Sequence, residues 1–290
     1  MKQWFRRHHP SFRQTGDVNR DIPEDLWVKC PACSELIYNR ELENNSKVCM
    51  KCSHHFRLRA AERVVQLTDH DCFEECHSDL ISADPLNFVS VGEHYYDKMQ
   101  QSRERTGMSD AVVIGYASIQ GCPTVLAVVD FSFQGGSMGS VYGEKLVRAV
   151  DMALDRRLPV VTVSASGGAR MQEGMFSLMQ MAKTTTAFAR LGRDRLPHVS
   201  VLADPCTGGV MASYATSADI VVAEPGALIG FAGPRVIEQI TRQKLPSGFQ
   251  SAEACLQRGM IDKVVHRRDL PQTLGSILRL FAAKGASVAS

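Results

Sequence analysis

The sequence predicts an α/β protein with a small metal-binding module ahead of it. Three observations lead there. From about Asp110 onward, β-rich apolar runs alternate with stretches of helical periodicity. Near the N-terminus, Cys30-Pro31-Ala32-Cys33 and Cys49-Met50-Lys51-Cys52 form two C-x2-C knuckles fifteen residues apart. Twice, a buried-looking strand runs into a Gly-Gly pair and then a helix: Val160–Ser166 into Gly167-Gly168, and Val199–Ala203 into Gly208-Gly209.

The elements follow in order. Residues 1–22 read as a polar tail and residues 23–58 as a zinc ribbon. The remainder, 59–290, reads as one large domain. Ala60 to Leu67 is a short helix, the stretch to about Asp84 is ambiguous, and Tyr95 to Thr106 is a helix ended by Gly107. Ala111–Ala117 and Thr124–Asp130 flank Gly121-Cys122-Pro123 and read as a hairpin. Gly135-Gly136-Ser137-Met138-Gly139 is a loop. Ser140 to Arg156 is an amphipathic helix with Val147, Val150 and Leu154 on one face. A strand over Leu158–Ser164 and one long helix from Met171 to Leu191 come next. A strand at Val199–Ala203, a short helix from Val210 and a strand at Ile220–Ala223 follow. Helices at Val236–Arg242, Ser251–Arg258 and Leu270–Ala283, with a strand near Ile261–Val265, complete the chain. The hairpin and the repeated strand–turn–helix units suggest stacked ββα units.

Composition excludes several classes. Of 290 residues, 44% are hydrophobic and 22% charged, so a sizeable core can be buried. No apolar run is long enough to span a membrane, and Met1–His9 carries charge with no apolar stretch, so no secretory leader is expected. Nine cysteines without a leader imply reduced thiols in the cytoplasm. The net charge of +2 is uneven: +4 over residues 1–60 and −2 over the rest. That basic start is either a solvated tail or an attractor of phosphates, including weak nucleic-acid binding by the ribbon.

Four thiolates from two knuckles close a tetrahedral sphere around one Zn²⁺, so the metal expected at Cys30, Cys33, Cys49 and Cys52 is structural. Cys72, Cys76, Cys122, Cys206 and Cys255 lack that spacing and read as small apolar residues.

Glycine lets a backbone approach a ligand closely, and a helix starting there points unpaired N–H groups outward. Two such groups aimed at one oxygen make an oxyanion hole. The P-loop, dinucleotide and serine-elbow patterns are all missing. Arg170 either holds a ligand anion or pairs with Glu173 three residues on. Arg235, after Gly233-Pro234, sits at a helix start where a cation suggests an anionic partner or simple solvation. Met171, Met175 and Met179, with Phe176, Leu178 and Met181, fit core or subunit packing. The histidines assemble no Ser–His–Asp set.

At these residues the sequence closely resembles the β subunits of bacterial acetyl-CoA carboxylase carboxyltransferases. The matching stretches are the cysteine quartet; Gly135-Gly136-Ser137-Met138-Gly139-Ser140; Ser164 to Glu173; Asp204-Pro205 with Gly208-Gly209; Glu224-Pro225 and Ile229 to Gln239; and Leu245 to Gln250. Cys206-Thr207 and an early C-terminus depart slightly from the pattern. The resemblance implies a crotonase-like (ClpP-type) ββα core behind the zinc ribbon. It implies carboxyl transfer from carboxybiotin to acetyl-CoA, giving malonyl-CoA for fatty acid synthesis. It implies partners: a carboxyltransferase α subunit in an α2β2 assembly, a biotin carboxyl carrier protein bearing the biotin, and a biotin carboxylase. With biotin acting as its own base, the chain must orient and stabilise an oxyanion. Gly208 and Gly209 are then the expected oxyanion donors, and Gly167 and Gly168 shape the thioester pocket. Gly135, Gly136, Arg170, Gly233 and Arg235 are further candidates for substrate contacts. A serine peptidase on the same fold and a nucleic-acid-binding ribbon stay open as alternatives.

Overall fold

A computed structural model describes residues 26–286, with side chains through residue 281; the tail expected at 1–22 lies outside the described residues. The ribbon contains β1 (Trp27–Lys29), β2 (Leu36–Tyr38) and α1 (Asn39–Asn44). Then come α2 (Ala60–Leu67), β3 (Glu74–Cys76), β4 (Val89–Ser90), β5 (Glu93–His94) and α3 (Tyr95–Thr106). The main body continues with β6 (Val112–Ile119), β7 (Cys122–Val129), α4 (Ser140–Arg156), β8 (Val160–Ser166), α5 (Met175–Arg193), β9 (His198–Thr207) and α6 (Gly208–Val210). It closes with β10 (Ile220–Ala223), β11 (Ile229–Gly230), α7 (Pro234–Thr241), α8 (Ala252–Gln257), β12 (Lys263–Val264) and α9 (Leu270–Ala286).

One sheet organises the body in the order β12-β10-β9-β8-β7-β6-β3, with β11 pairing the far end of β9. The β3–β6 and β6–β7 pairs are antiparallel, and from β7 to β12 every pair is parallel. The hairpin turn is Gln120-Gly121, one residue earlier than the sequence suggests, and both residues have positive φ as a primed turn demands. β6–β7–α4 is a ββα unit built on a long hairpin, and β8–α5 and β9–α6 follow with one strand each.

Strands buried on both faces read as near-continuous apolar runs. In β7, Val125, Ala127 and Val129 face one core, with α4 residues Leu146 and Val150 and α5 residues Phe188 and Leu191. Leu126 and Val128 face the other, against Ala60, Val64 and Leu67 of α2 and Leu270, Leu274 and Leu278 of α9. The helical spacing of those two apolar triplets is what lays α2 and α9 on the sheet.

Two elements differ from expectation. The long helix breaks: Met171–Glu173 forms a 3-10 turn and Gly174 takes φ 52°, ψ −127° before α5 begins. The break turns Glu173 into the core, where Tyr95 and Ser140 donate to it. β9 runs on through Asp204-Pro205, a dipeptide that reads as a turn. It does so across a register shift: Ser164 pairs Leu202, but Ser166 pairs Cys206.

Candidate active site

The ribbon brings its four cysteines together. Their sulfurs all lie within 4.8 Å of one another, with Cys30–Cys52 at 3.7 Å and Cys33–Cys49 at 3.8 Å. A tetrahedral Zn²⁺ with bonds of about 2.3 Å separates its sulfurs by about 3.8 Å, so the quartet fits the metal. Burial pushes the Cys30 thiol up, but the amides of Cys33 and Ala32 outweigh it and bring it down to about 7. The ribbon's own core is just Cys30, Ile37, Leu42 and Cys49, too small to hold without metal. Of the other cysteines, Cys206 and Cys255 are buried while Cys72 is exposed, against the apolar role expected of it. Burial pushes Cys206 up to about 12, which keeps it a packed thiol.

The two Gly-Gly turns meet. A Cβ added to Gly208 would stand 3.0 Å from Gly168 Cα, and one on Gly168 would stand 3.2 Å from Gly208 Cα. Gly208 has φ 61° and Gly168 φ 113°, so only glycine suits either position. Hydrogen bonds then sort the donors. Gly167 N donates to Gly135 O (2.9 Å), Gly168 N to Ser166 Oγ (3.0 Å), and Ser166 Oγ to Gly136 O (2.6 Å). The Gly135-Gly136 loop therefore braces the first turn, and its glycines act on β8 rather than offering N–H groups. Gly208 N donates to Phe231 O at 2.9 Å. That corrects the expectation that Gly208 is an oxyanion donor. Gly209 and Val210, both buried, are thus the first-turn residues of α6 whose N–H groups lack an intrahelical acceptor, one residue on from the expected pair.

Arg170 is 1% exposed and holds no free donor for a ligand. Nη1 and Nη2 donate to the two Asp110 carboxylate oxygens at 2.8 and 3.0 Å. Nη2 also reaches Ser137 O, Nε reaches Ser137 Oγ, and Nη1 reaches Tyr95 OH. Its pairing with Glu173 is present at 3.5 Å. Burial disfavours the guanidinium charge, but Asp110 outweighs burial and holds Arg170 protonated. Arg170 is thus a buried strut for the loop at Ser137, and the ligand reading of it is corrected. Gly233 caps α7, its carbonyl accepting from Val236 N and Ile237 N. Arg235, at the start of α7, makes no ion pair among the described residues.

The hydroxyls of Ser164 and Ser166 are engaged. Ser164 Oγ bonds Tyr214 OH at 3.0 Å, which in turn bonds Tyr142 OH at 2.6 Å. Among the described residues Ser164 Oγ bonds Tyr214 and Ser166 Oγ bonds Gly136 O and Gly168 N, and no histidine bonds either. The Met-rich segment is not core: Met171, Met175, Phe176, Leu178 and Met179 are all exposed. Sequence reasoning missed Asp110, Tyr95, Ser166 and the Phe231 carbonyl. Only the Arg170–Glu173 spacing gave a signal for that network.

Comparison with known proteins agrees with this architecture. Residues 78–266 match the carboxyl transferase domain family, and residues 27–52 match the acetyl-CoA carboxylase zinc finger domain. The acetyl-coenzyme A carboxylase carboxyl transferase subunit beta 2 of Roseiflexus sp. (strain RS-1) is 52% identical over 289 residues, covering 100% of this chain and 96% of the relative. The subunit beta of Desulforamulus reducens is 54% identical over 265 residues, 91% of each chain. Among solved structures, transcarboxylase 12S with methylmalonyl-coenzyme A and methylmalonic acid bound superposes with a TM-score of 0.65 at 26% identity, over 82% of this chain. This chain spans 42% of that transcarboxylase chain. The Pseudomonas malonate decarboxylase MdcD-MdcE hetero-dimer gives 0.59 at 28% identity, over 78% of this chain and 86% of that one. With zinc ribbon, crotonase-like core and paired glycine turns all in place, the chain belongs to the acetyl-CoA carboxylase carboxyl transferase β-subunit family.

Proposed function

We propose that this chain is the half of a biotin-dependent carboxyltransferase that holds acetyl-CoA, giving malonyl-CoA for fatty acid synthesis. The observation that carries this reading is the Gly209–Val210 turn of α6, set against Gly167-Gly168 in a chain about half identical to acetyl-CoA carboxylase β subunits along its whole length.

The carried biotin supplies the carboxyl group and, once it has released it, a ureido nitrogen that accepts a proton. The work left to this chain is electrostatic. As the α-proton of the acetyl group leaves, negative charge gathers on the thioester oxygen. The N–H groups of Gly209 and Val210 hold that oxygen, strongest when it is charged. The Gly208–Gly168 approach fixes the turn, and the Gly135–Gly167 and Gly136–Ser166 bonds fix its neighbour. No acid–base side chain is required, and the buried histidines fit that. His55 bonds the Arg267 amide, and His198 bonds Thr162.

An α subunit completing the site is supported by exposed apolar residues beside it. Met181 touches the position a Gly209 side chain would take, and α5 exposes Met175 and Met179 just before it. Phe231, whose carbonyl holds Gly208, is exposed, as are Val236 and Ile240 on α7. Apolar surface of this extent beside a reaction site fits a subunit interface. An α2β2 assembly, served by a biotin carboxyl carrier protein and a biotin carboxylase, follows from that reading. The domain division at residue 58 is supported by α2, whose apolar face packs on the sheet. Nine cysteines outside any disulfide, four of them grouped for zinc, suit the cytoplasm, and no helix among the described residues is long and apolar enough to cross a membrane.

The test is Gly209→Pro, which deletes one donor at a first-turn position where proline is tolerated. With the α subunit present, malonyl-CoA formation should fall roughly 100- to 1,000-fold while zinc content stays intact and the unfolding transition moves only by what the Met181 side chain must yield to the new ring. Turnover within threefold of the parent would sink the assignment.

A further inference from the structure

The ribbon does not hang free of the body. Arg267, 1% exposed, grips it from the far end of the chain. Its Nη1 donates to Ser46 O (2.8 Å) and Lys47 O (3.2 Å), and its Nη2 to Phe56 O (2.8 Å). The same guanidinium makes a two-pronged pair with Glu224, at 2.7 Å on each oxygen, and Arg63 donates to Glu224 Oε1 at 2.7 Å. Burial would raise the Glu224 carboxyl, but Arg63 and Arg267 outweigh it and hold it well below the usual range. This cluster clamps the segment that leaves the last zinc ligand, Cys52. Three residues further on, His55 Nε2 accepts from Arg267 N.

The clamped segment crosses the ends of two sheet strands. Ala60 N donates to Asp130 Oδ2 (2.8 Å), just past β7. Arg57, next to the gripped Phe56, reaches β9. Its guanidinium lies 4.0 Å over the Phe131 ring, its Nε donates to Asp204 O (3.2 Å), and its Nη2 lies 3.4 Å from Asp204 Oδ2. Asp204 lies where β9 shifts register against β8, between the Leu202 and Cys206 pairings. A carbonyl in such a shift loses its regular ladder partner, so an outside donor is needed to fix it. Asp204 Oδ1 in turn accepts from Leu228 N, which ties in the segment entering β11. Five residues after Asp204 comes Gly209.

Resting on the carboxyltransferase reading above, we infer that Arg57 is a positioning residue: the ribbon uses it to set the β9 register shift, and through it the Gly209–Val210 turn. The zinc ribbon is then part of the oxyanion machinery at one remove, without touching substrate. A misplacement of about 1 Å at such a turn costs on the order of 100-fold in rate.

The test compares the parent with Arg57→Ala and Arg57→Lys, each zinc-loaded, by amide hydrogen exchange and by steady-state kinetics with the α subunit. Arg57→Ala should speed exchange in the segment 203–212 by about 10-fold or more while the sheet strands β6 and β7 stay protected. It should lower kcat about 10- to 100-fold with the KM for acetyl-CoA within about threefold. Arg57→Lys, which keeps a cation over Phe131 and a donor toward Asp204, should recover a good part of both. Exchange at 203–212 unchanged in Arg57→Ala would overturn the inference. So would a fall in kcat that Arg57→Lys does not relieve, or faster exchange spread evenly over the sheet. The exchange arm needs no catalysis, so an inactive parent would count against the carboxyltransferase reading and leave this one to be decided by exchange.

Discussion

At the residue scale, chemistry turns on which N–H groups remain open, and that is invisible in one dimension. The glycine pairs were legible because glycine followed by a helix has few other uses. That Gly208 is engaged by Phe231 depends on a carbonyl 23 positions away, and no local pattern reports it. The same holds for Arg170. Its partner at Glu173 could be read from spacing, whereas Asp110 arrives from the segment just before β6 and takes one N–H from each of Nη1 and Nη2. Replacing Arg170 with Ala should therefore cost stability, by about 3–5 kcal/mol in urea unfolding, because Asp110 is left buried and charged. A stable Arg170→Ala protein with a raised KM for acetyl-CoA would restore the ligand role. Histidine burial sets a pH limit. His198, stacked at 4.0 Å on Phe188, is pulled by burial down to about 3, against an ordinary value of about 6.5. A depressed histidine adds stability that is complete above about pH 6.5 and fades as pH falls toward 3, since only the unfolded chain takes up the proton. The unfolding midpoint of the parent should decline over that window, and His198→Gln should flatten the decline. A pH dependence identical in the two proteins would contradict this.

At the element scale, long periodic segments were readable and irregular ones were not. α2, α3 and α4 follow the sequence pattern to the residue, and Gly107 ends α3 in the left-handed region as expected. The break at Gly174 was missed because a helix pattern continues through Met171–Met179, and only the pull of Tyr95 and Ser140 on Glu173 overrides it. β9 was read as ending at Ala203, whereas it runs on to Thr207 across a register shift that the local pattern does not announce. The ribbon was fully legible from its four cysteines, but its attachment was not: Arg63, Glu224 and Arg267 are scattered over 204 positions and meet only in the fold. Stripping the metal should unfold the ribbon and deprive Arg267 of three carbonyl acceptors. The body's unfolding temperature should then drop as well, by roughly 2–4 °C for each kcal/mol lost. A chelator that leaves this transition in place would show that the clamp carries no stability.

At the scale of the whole molecule, the fold puts two buried cores on either side of one sheet and leaves apolar side chains of α5 and α7 exposed. The methionine spacing in the sequence was compatible with core or interface alike; the exposure of Met171, Met175 and Met179 excludes core and supports the interface proposed above. Met175→Glu combined with Met179→Glu should weaken association with the α subunit at least about 10-fold, seen by sedimentation or calorimetry, with the chain's own unfolding temperature unmoved. Unchanged association would assign that surface elsewhere. The account as a whole rests on a half-site that stabilises a thioester oxyanion and needs a second subunit to bring the carboxyl donor. The most direct measurement is malonyl-CoA formation from acetyl-CoA and carboxylated biotin carrier, with the chain alone and with a cognate α subunit. Turnover only when both subunits are present is the predicted result. Full turnover by the chain alone, or none with either, would contradict it.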